Sequence, residues 1–158
     1  MGKKSELAKL MGKKIIPVLI LLFILVVVTS PRNFLSECTG HLKRNYHYHL
    51  KIEIKQDQKR IPIPPNIGIN GKCIHPLHTH DSAGLVHIDH PKKIQVTLGD
   101  FFDTMGVVFS DYQLGSLKKF DGFIFELYIN DKLIKSNYRS VNLSDKQKIK
   151  ILIKSSRG

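Results

Sequence analysis

The chain has 158 residues, a formal net charge of +12 and 42% hydrophobic residues. This length allows one modest hydrophobic core preceded by a membrane anchor, but not two domains with separate cores. Its lysines and arginines are spread over many segments and form no arginine-rich stripe among aromatic residues, so the charge does not indicate a nucleic-acid-binding protein.

An uninterrupted apolar run, IIPVLILLFILVVV, extends from Ile15 to Val28. Five lysines precede it: Lys3, Lys4, Lys9, Lys13 and Lys14. Such a basic flank keeps the amino terminus in the cytoplasm. Since no A-x-A cleavage site follows the run, an uncleaved signal anchor is favoured over a removed signal peptide. The predicted division is a cytoplasmic basic flank (1–14), a single transmembrane segment (15–30), a linker (31–44) and an extracytoplasmic histidine-rich domain (45–158).

Beyond the linker, the hydrophobic pattern is mostly that of β-strands. Tyr46–Gln56 alternates polar and apolar residues with the period of a half-buried strand. The prolines and glycines of segment 61–71 exclude a helix and favour an extended path with turns. Leu77–His80 and Leu85–Asp89 are predicted to be short strands joined by a turn at residues 81–84.

One short helix is predicted in the carboxyl-terminal half. Thr97 and Asp100 have the spacing of a capping box at a helix start, and Gly106 is a typical residue just beyond a helix end. The helix is expected to cover about residues 98–105. Its buried side should consist of Phe101, Phe102 and Met105.

Three further strands are predicted after the helix, with residues 122–130 and 132–136 as a hairpin and residues 147–154 as a final strand. The expected fold class is therefore mostly β, at the margin of α+β, with one short helix. A small antiparallel sandwich or barrel-like domain is the architecture that this pattern favours.

The chain has two cysteines, Cys38 and Cys73. In a domain outside the cytoplasm, the oxidising compartment favours a disulfide between them. The alternative is that the thiols are free, with Cys73 acting as a thiolate metal ligand beside His75.

The most informative feature of the sequence is the clustering of its histidines. Five of the eight lie between residues 73 and 91, and none follows His90. Side chains two residues apart on a strand point to the same face, so three predicted strands each present a pair of potential metal ligands on one side. The pairs are His47 with His49, His78 with His80, and His87 with Asp89.

If these strands are neighbours, the pairs form a site for copper or zinc, because neutral imidazoles suit both ions and three or four donors suffice. Asp81, Asp89 or Thr79 could hold the far ring nitrogens. Two alternatives stay open: a pH sensor built from imidazoles that repel one another when protonated, and a hydrogen-bonded structural cluster without a ligand. The histidines left out of the predicted site are His41, His75 and His90.

The stretch LHTHDSAGLVHIDHP, at residues 77–91, and the TLGDFF that follows it resemble a family of small extracytoplasmic domains in bacteria and archaea. Its members carry L-H-T-H-D-x-x-G-[IL]-[IV]-H-[IV]-[DE] and then T-L-G-x-F-F-x-x-W-G. They also carry an upstream H-x-H-L-x-I strand, here at 47–52, and an I-G-I segment, here at 67–69. The resemblance covers about residues 46–106, although Met105 replaces the usual tryptophan. It implies a place outside the membrane and no particular activity, and it gives weight to His47, His49, His78, His80 and His87.

We expect a membrane-anchored domain that binds copper or zinc outside the cytoplasm through these histidines. A binding or accessory protein is favoured over a catalyst, because nothing in the sequence identifies a substrate. The sequence has no G-x-S-x-G, P-loop or G-x-G-x-x-G motif, which argues against nucleophilic catalysis. One alternative is an accessory subunit of a larger membrane complex, such as a copper-dependent oxidase or monooxygenase. The other is a metal-dependent enzyme in which three histidines leave an open coordination position and Asp81 or Asp89 acts as the base.

Overall fold

The computed structural model describes residues 33–39 and 45–156. The predicted basic flank, the predicted transmembrane segment, half of the predicted linker and His41 lie outside these residues. Within the described ranges, no helix has the length and apolar character that crossing a bilayer requires. Phe34–Gly158 forms one unit by its internal contacts.

β-strands account for most of the regular structure in the described residues, with one α-helix, α1 (Leu98–Thr104). The strands before the helix are β1 (Tyr46–Gln56), β2 (Lys59–Ile61), β3 (Ile69–Asn70), β4 (Cys73–Ile74), β5 (Leu77–His78) and β6 (Leu85–His90). Those after it are β7 (Phe109–Ser110), β8 (Gln113–Leu114), β9 (Leu117–Lys118), β10 (Phe123–Ile129), β11 (Lys132–Ile134) and β12 (Lys148–Ser155). Short 3-10 helices cover Asn33–Ser36, Lys119–Asp121 and Tyr138–Ser140. The predicted mostly-β class with one short helix is confirmed.

Seven strands form one mixed sheet in the order β11–β10–β12–β1–β6–β5, with β2 also pairing on β1. Two smaller sheets consist of β3–β4 and of β7–β8–β9. In the main sheet every ladder is antiparallel except that between β1 and β12, which run parallel. A parallel ladder needs a long connection between its strands, and residues 57–147 provide it here. The predicted antiparallel arrangement missed this ladder, because the pattern within a strand does not reveal a partner so far along the chain.

Several predicted elements are confirmed with close boundaries. β1 begins and ends where the alternation predicted, and β10, β11 and β12 match the predicted hairpin and final strand within a residue or two. α1 begins with a capping box in which Thr97 and Asp100 each accept from the backbone N–H of the other. Phe101 and Phe102 are buried as predicted, whereas Met105 is only partly buried. β5 is shorter than predicted and ends at His78.

The core lies against one face of the main sheet. Alternate residues of β1, β6 and β12 point into it, and α1 contributes its phenylalanines. The buried side chains of these strands include Leu50, Ile52, Ile54, Val86, Ile88, Ile149, Ile151 and Ile153. Because side chains alternate along a strand, the residues between them on β1 and β6 belong to the opposite face.

A disulfide joins Cys38 to Cys73. Next to it, the Thr39 backbone N–H and hydroxyl both donate to the Ile74 carbonyl, at 2.7 and 3.1 Å. The bridge ties the segment before the main sheet to β4, from which the chain continues into the histidine-bearing β5. Cys73 is therefore not a free thiolate in this structure, in contrast to the alternative reading of the sequence.

Candidate metal centre

The pairing register places three histidines side by side across three strands. On β6, His87 lies directly opposite His49 of β1 and, on its other side, directly opposite His78 of β5. Farther along the first ladder, His47 lies opposite Asp89. The residue pairs that the sequence predicted to share a face are thus brought together at one end of the main sheet.

These side chains occupy the face of the sheet opposite the core. His87 and Asp89 on β6 point away from the core side chains that flank them. His78 and Asp89 are nonetheless 1% exposed, whereas His47 is open to solvent. The cluster is therefore buried at His78 and Asp89 and open to solvent at His47.

Five histidines form two groups of three candidate ligands, and both groups contain His87. In each group the three ligand atoms lie within 4.8 Å of one another. We call these groups the β1 triad, which consists of His47, His49 and His87, and the β5 triad, which consists of His78, His80 and His87. Three imidazoles at such separations can hold one transition-metal ion and leave a fourth coordination position open.

The ring contacts show the same division. In the β1 triad the ring centroids are 4.2, 4.6 and 5.9 Å apart. In the β5 triad they are 4.8, 4.9 and 5.2 Å apart, and the rings of His78 and His87 are nearly parallel, at 13°. These six contacts form two triangles that meet at His87.

His78 is held in one tautomer by the backbone. Its Nδ1 lies 3.0 Å from the His75 carbonyl oxygen, and because a carbonyl can only accept, Nδ1 carries the proton. The lone pair of neutral His78 is therefore on Nε2, and a far nitrogen fixed in this way is typical of metal-binding histidines. Sequence reasoning missed this carbonyl, since a backbone acceptor leaves no side-chain signal.

Asp89 orients His47 in a similar way. Its carboxylate accepts from His47 Nδ1, so the lone pair of neutral His47 is on Nε2. The other carboxylate oxygen lies 3.9 Å from His78 Nε2. Asp89 thus faces one histidine of each triad, although it belongs to neither group of candidate ligands. That Asp89 itself binds the ion, as the strand pattern suggested, remains a prediction.

A close approach of two backbones positions β5. Gly68 has a φ of +67°, and a Cβ there would lie 2.2 Å from the Leu77 carbonyl oxygen, so only glycine fits. The His75 N–H donates to the Gly68 carbonyl at 2.8 Å. The Thr79 N–H donates to the Ile67 carbonyl at 3.0 Å. The proline- and glycine-rich segment therefore fixes the position of the backbone on either side of His78.

Two residues that could have oriented the histidines bind the backbone instead. Thr79 Oγ1 accepts from the Ile67 N–H at 3.1 Å and donates to the Pro64 carbonyl at 3.2 Å. Asp81 accepts from the Ala83 N–H at 2.7 Å, inside the turn between β5 and β6. Short polar side chains beside turns often pair locally in this way. A further role of Thr79 or Asp81 in holding a histidine ring nitrogen stays a prediction.

The histidines left out of the predicted site have other surroundings. His90 lies at the edge of the core, where its Nδ1 is 2.8 Å from the Lys92 carbonyl oxygen and 3.0 Å from the Lys92 backbone nitrogen. His75 Nε2 lies 3.9 Å from the sulfur of Cys73. Neither belongs to a group of candidate metal ligands within the described ranges.

The electrostatics at the centre of the cluster favour neutral imidazole. Burial, and after it the charges that His78, His49 and His80 would carry, lower the pKa of His87 to about 4. His87 therefore offers a lone pair throughout the neutral pH range. Metal binding requires this neutral form.

A scan against protein-family models, a search of curated proteins and a search of solved structures find no match to this chain. The resemblance to the histidine-motif family therefore stays a prediction. The site combines five imidazoles and one buried carboxylate, with both cysteines engaged in a disulfide.

Proposed function

We propose that this domain binds copper(II) or zinc through its clustered histidines. The observation that carries the proposal is the convergence of imidazoles from β1, β6 and the β5 segment into groups whose candidate ligand atoms lie within 4.8 Å. A lone surface histidine has many explanations. Five that face one another, two of them with fixed tautomers, form the ligand arrangement expected of a metal site.

The donor set favours copper(II) or zinc over other ions. Calcium and magnesium prefer oxygen ligands, whereas imidazole suits copper and zinc. Copper(I) favours sulfur ligands, and Cys38 and Cys73 are engaged with each other. Copper(II) ranks above zinc in its affinity for a given nitrogen site, so we expect it to bind more tightly.

The role that we propose is the capture or delivery of the ion by a membrane-anchored domain outside the cytoplasm. The basic flank and the apolar run of the sequence support the anchor, and the disulfide fits an oxidising compartment. Solvent-exposed His47 and buried His78 give an ion both an approach and a fixed place to bind.

Elemental analysis of the full chain, purified in mild detergent without a histidine tag and exposed to copper or zinc, tests this proposal. We expect metal in a fixed ratio to the chain, and its loss in the triple variant His49→Ala/His78→Ala/His80→Ala. His90→Asn is the matched control, because the asparagine amide can hydrogen-bond with the Lys92 backbone and the residue lies outside both triads. A metal-free wild-type chain, or unchanged metal in the triple variant, would contradict the proposal.

An accessory subunit of a larger membrane complex is the second candidate function. Large apolar side chains are open to solvent around the small sheet β7–β8–β9: Phe120 is 95% exposed, Val108 60% and Tyr112 58%. If these side chains form one contiguous patch, it would be typical of a contact surface. If the domain docks on a copper-dependent oxidase or monooxygenase, that enzyme should copurify with the wild-type chain in mild detergent but not with Phe120→Ser. A chain that purifies alone from its own membranes would count against this role.

A further inference from the structure

His87 belongs to both triads. Given that the cluster binds a metal ion, as proposed above, we infer that the β1 triad and the β5 triad are alternative sites for one ion. The two sites exclude each other, and the ion moves between them while it stays bound to His87. The chain therefore holds one ion at a time, although it has two places for it.

Strand order separates the two triads around this shared ligand. β6 lies between β1 and β5, so His87 has His49 opposite it on one side and His78 opposite it on the other. The ring contacts form two triangles with His87 as their common corner. An ion in one triad is therefore coordinated from β1 and β6, and an ion in the other from β6 and the β5 segment.

The chemistry of imidazole makes the two sites exclusive. A neutral imidazole has one available lone pair, because its second nitrogen carries a proton. His87 can give that lone pair to an ion in the β1 triad or to an ion in the β5 triad, but not to both at once. Without His87, each triad is reduced to two histidines, fewer than the three protein ligands that zinc sites use.

Charge balance also opposes a second ion. Two divalent ions on either side of one ring would bring four positive charges together. Asp89, which accepts from His47, and Asp145, which accepts from the His49 backbone N–H at 3.0 Å, carry at most two negative charges against these four. Repulsion between charges this close is strong where water is partly excluded, so the first ion should prevent the binding of a second.

Each triad has one solvent-exposed histidine, His47 in the β1 triad and His80 in the β5 triad. The side chain of His47 is 42% exposed, whereas that of His78 is 1% exposed and has its orientation fixed by the His75 carbonyl. An ion from solvent can therefore reach either triad through its exposed histidine. Exchange of one ligand at a time around His87 allows transfer between the triads without release of the ion.

Titration of the full chain with copper(II) in mild detergent, followed by electron paramagnetic resonance and chelator competition, tests the inference. We expect the wild-type chain to bind one ion with a spectrum that sums two species. His47→Ala/His49→Ala should keep one ion with one species only, and His80→Ala one ion with the other species, each with about twofold weaker affinity, because each variant keeps one of two alternative sites. His87→Ala should weaken binding about a hundredfold, since it damages both triads.

His90→Asn serves as the control variant, and circular dichroism of the metal-free proteins checks that each variant folds. Two ions per wild-type chain would overturn the inference and leave the proposed function intact. Loss of all binding in either triad variant would also overturn it, because the histidines would then form a single site. A wild-type chain that binds no ion would instead refute the proposed function, and the inference with it.

Discussion

The outward face of the main sheet carries two different kinds of polar side chain at its two ends. At the β10–β12 end, Glu126 accepts from Lys154 at 2.8 Å and from the Tyr128 hydroxyl at 3.0 Å. Lys150 lies 3.2 Å from Asp131 at the same end. At the β1–β6–β5 end, histidines face one another instead.

The polar side chains at one end of the face pair with opposite charges, whereas those at the other end are potential metal ligands. Opposite charges in water satisfy each other, and each exposed pair contributes little stability. Burial, and after it the repulsion among protonated imidazoles that outnumber the Asp89 carboxylate, lower the pKa of His87 to about 4. Ion pairs such as those at the β10–β12 end are sufficient to keep a sheet face soluble. Histidines gathered as at the β1–β6–β5 end become favourable when they bind an ion.

The largest expected effect comes from disrupting the close backbone contact between Gly68 and Leu77, which positions β5. Gly68→Ala places a Cβ 2.2 Å from the Leu77 carbonyl oxygen and imposes a positive φ on alanine. We expect the free energy of unfolding to fall by about 3 kcal/mol and metal binding to weaken, as measured by urea unfolding and metal titration. Gly71→Ala is the matched control, because its φ is +57° but its Cβ would meet nothing within 4 Å. Equal losses in the two variants would contradict the steric account.

The next effect in size is stabilisation of the histidine end by its ion. Copper(II) or zinc at a hundred times its dissociation constant should raise the free energy of unfolding by about 2.7 kcal/mol and the melting temperature by several degrees. A chelator should reverse the change. The triple variant His49→Ala/His78→Ala/His80→Ala serves as the control and should show no shift. A similar shift in the wild-type chain and in this variant would indicate binding elsewhere on the protein.

A smaller expected effect is a pH dependence of folding stability that comes from the histidine end of the sheet. In the metal-free folded chain the pKa of His87 is about 4, below its ordinary value of 6.5. Between these values the unfolded chain binds a proton that the folded chain does not, so stability falls as the pH drops from 6.5 towards 4. His87→Gln should flatten this part of the curve in urea unfolding. If the variant and the wild-type chain lose stability equally, the pH dependence has another source.

The smallest effect should come from the opposite end of the face. The hydrogen bond from Lys154 lowers the pKa of Glu126, so the stability that this carboxylate contributes is present above its ordinary pKa of 4.5 and is lost as the pH falls through the folded value. Glu126→Gln should lower the free energy of unfolding at neutral pH by less than about 1 kcal/mol and leave metal affinity unchanged. Urea unfolding and metal titration measure both quantities. Weaker metal binding in Glu126→Gln would contradict the expectation that only the histidine end of the face takes part in metal binding.

The local features of this fold could be predicted because they depend on short-range patterns. Alternation over Tyr46–Gln56 predicted β1 with its observed ends, and Thr97 with Asp100 predicted the start of the helix. Alternation also predicted that His47 shares a face with His49 and that His87 shares one with Asp89, because strand side chains repeat every second residue.

The arrangement of the site could not be predicted in the same way, because it depends on contacts between distant residues. The position of β6 between β1 and β5, and the register that puts His87 opposite both His49 and His78, are set by strand pairing. The carbonyl that orients His78 belongs to the backbone, and no residue type signals it. The division into two triads with a shared histidine follows only from these long-range contacts.

The central claim of this account is that imidazoles from separate strands bind a common ion. X-ray absorption at the copper or zinc edge of the metal-loaded full chain tests it most directly, because the spectrum identifies and counts the ligands. We predict about three imidazole nitrogens at about 2.0 Å, completed by light atoms and without sulfur. A first shell that contains sulfur, or one that lacks the scattering pattern of imidazole rings, would contradict the account.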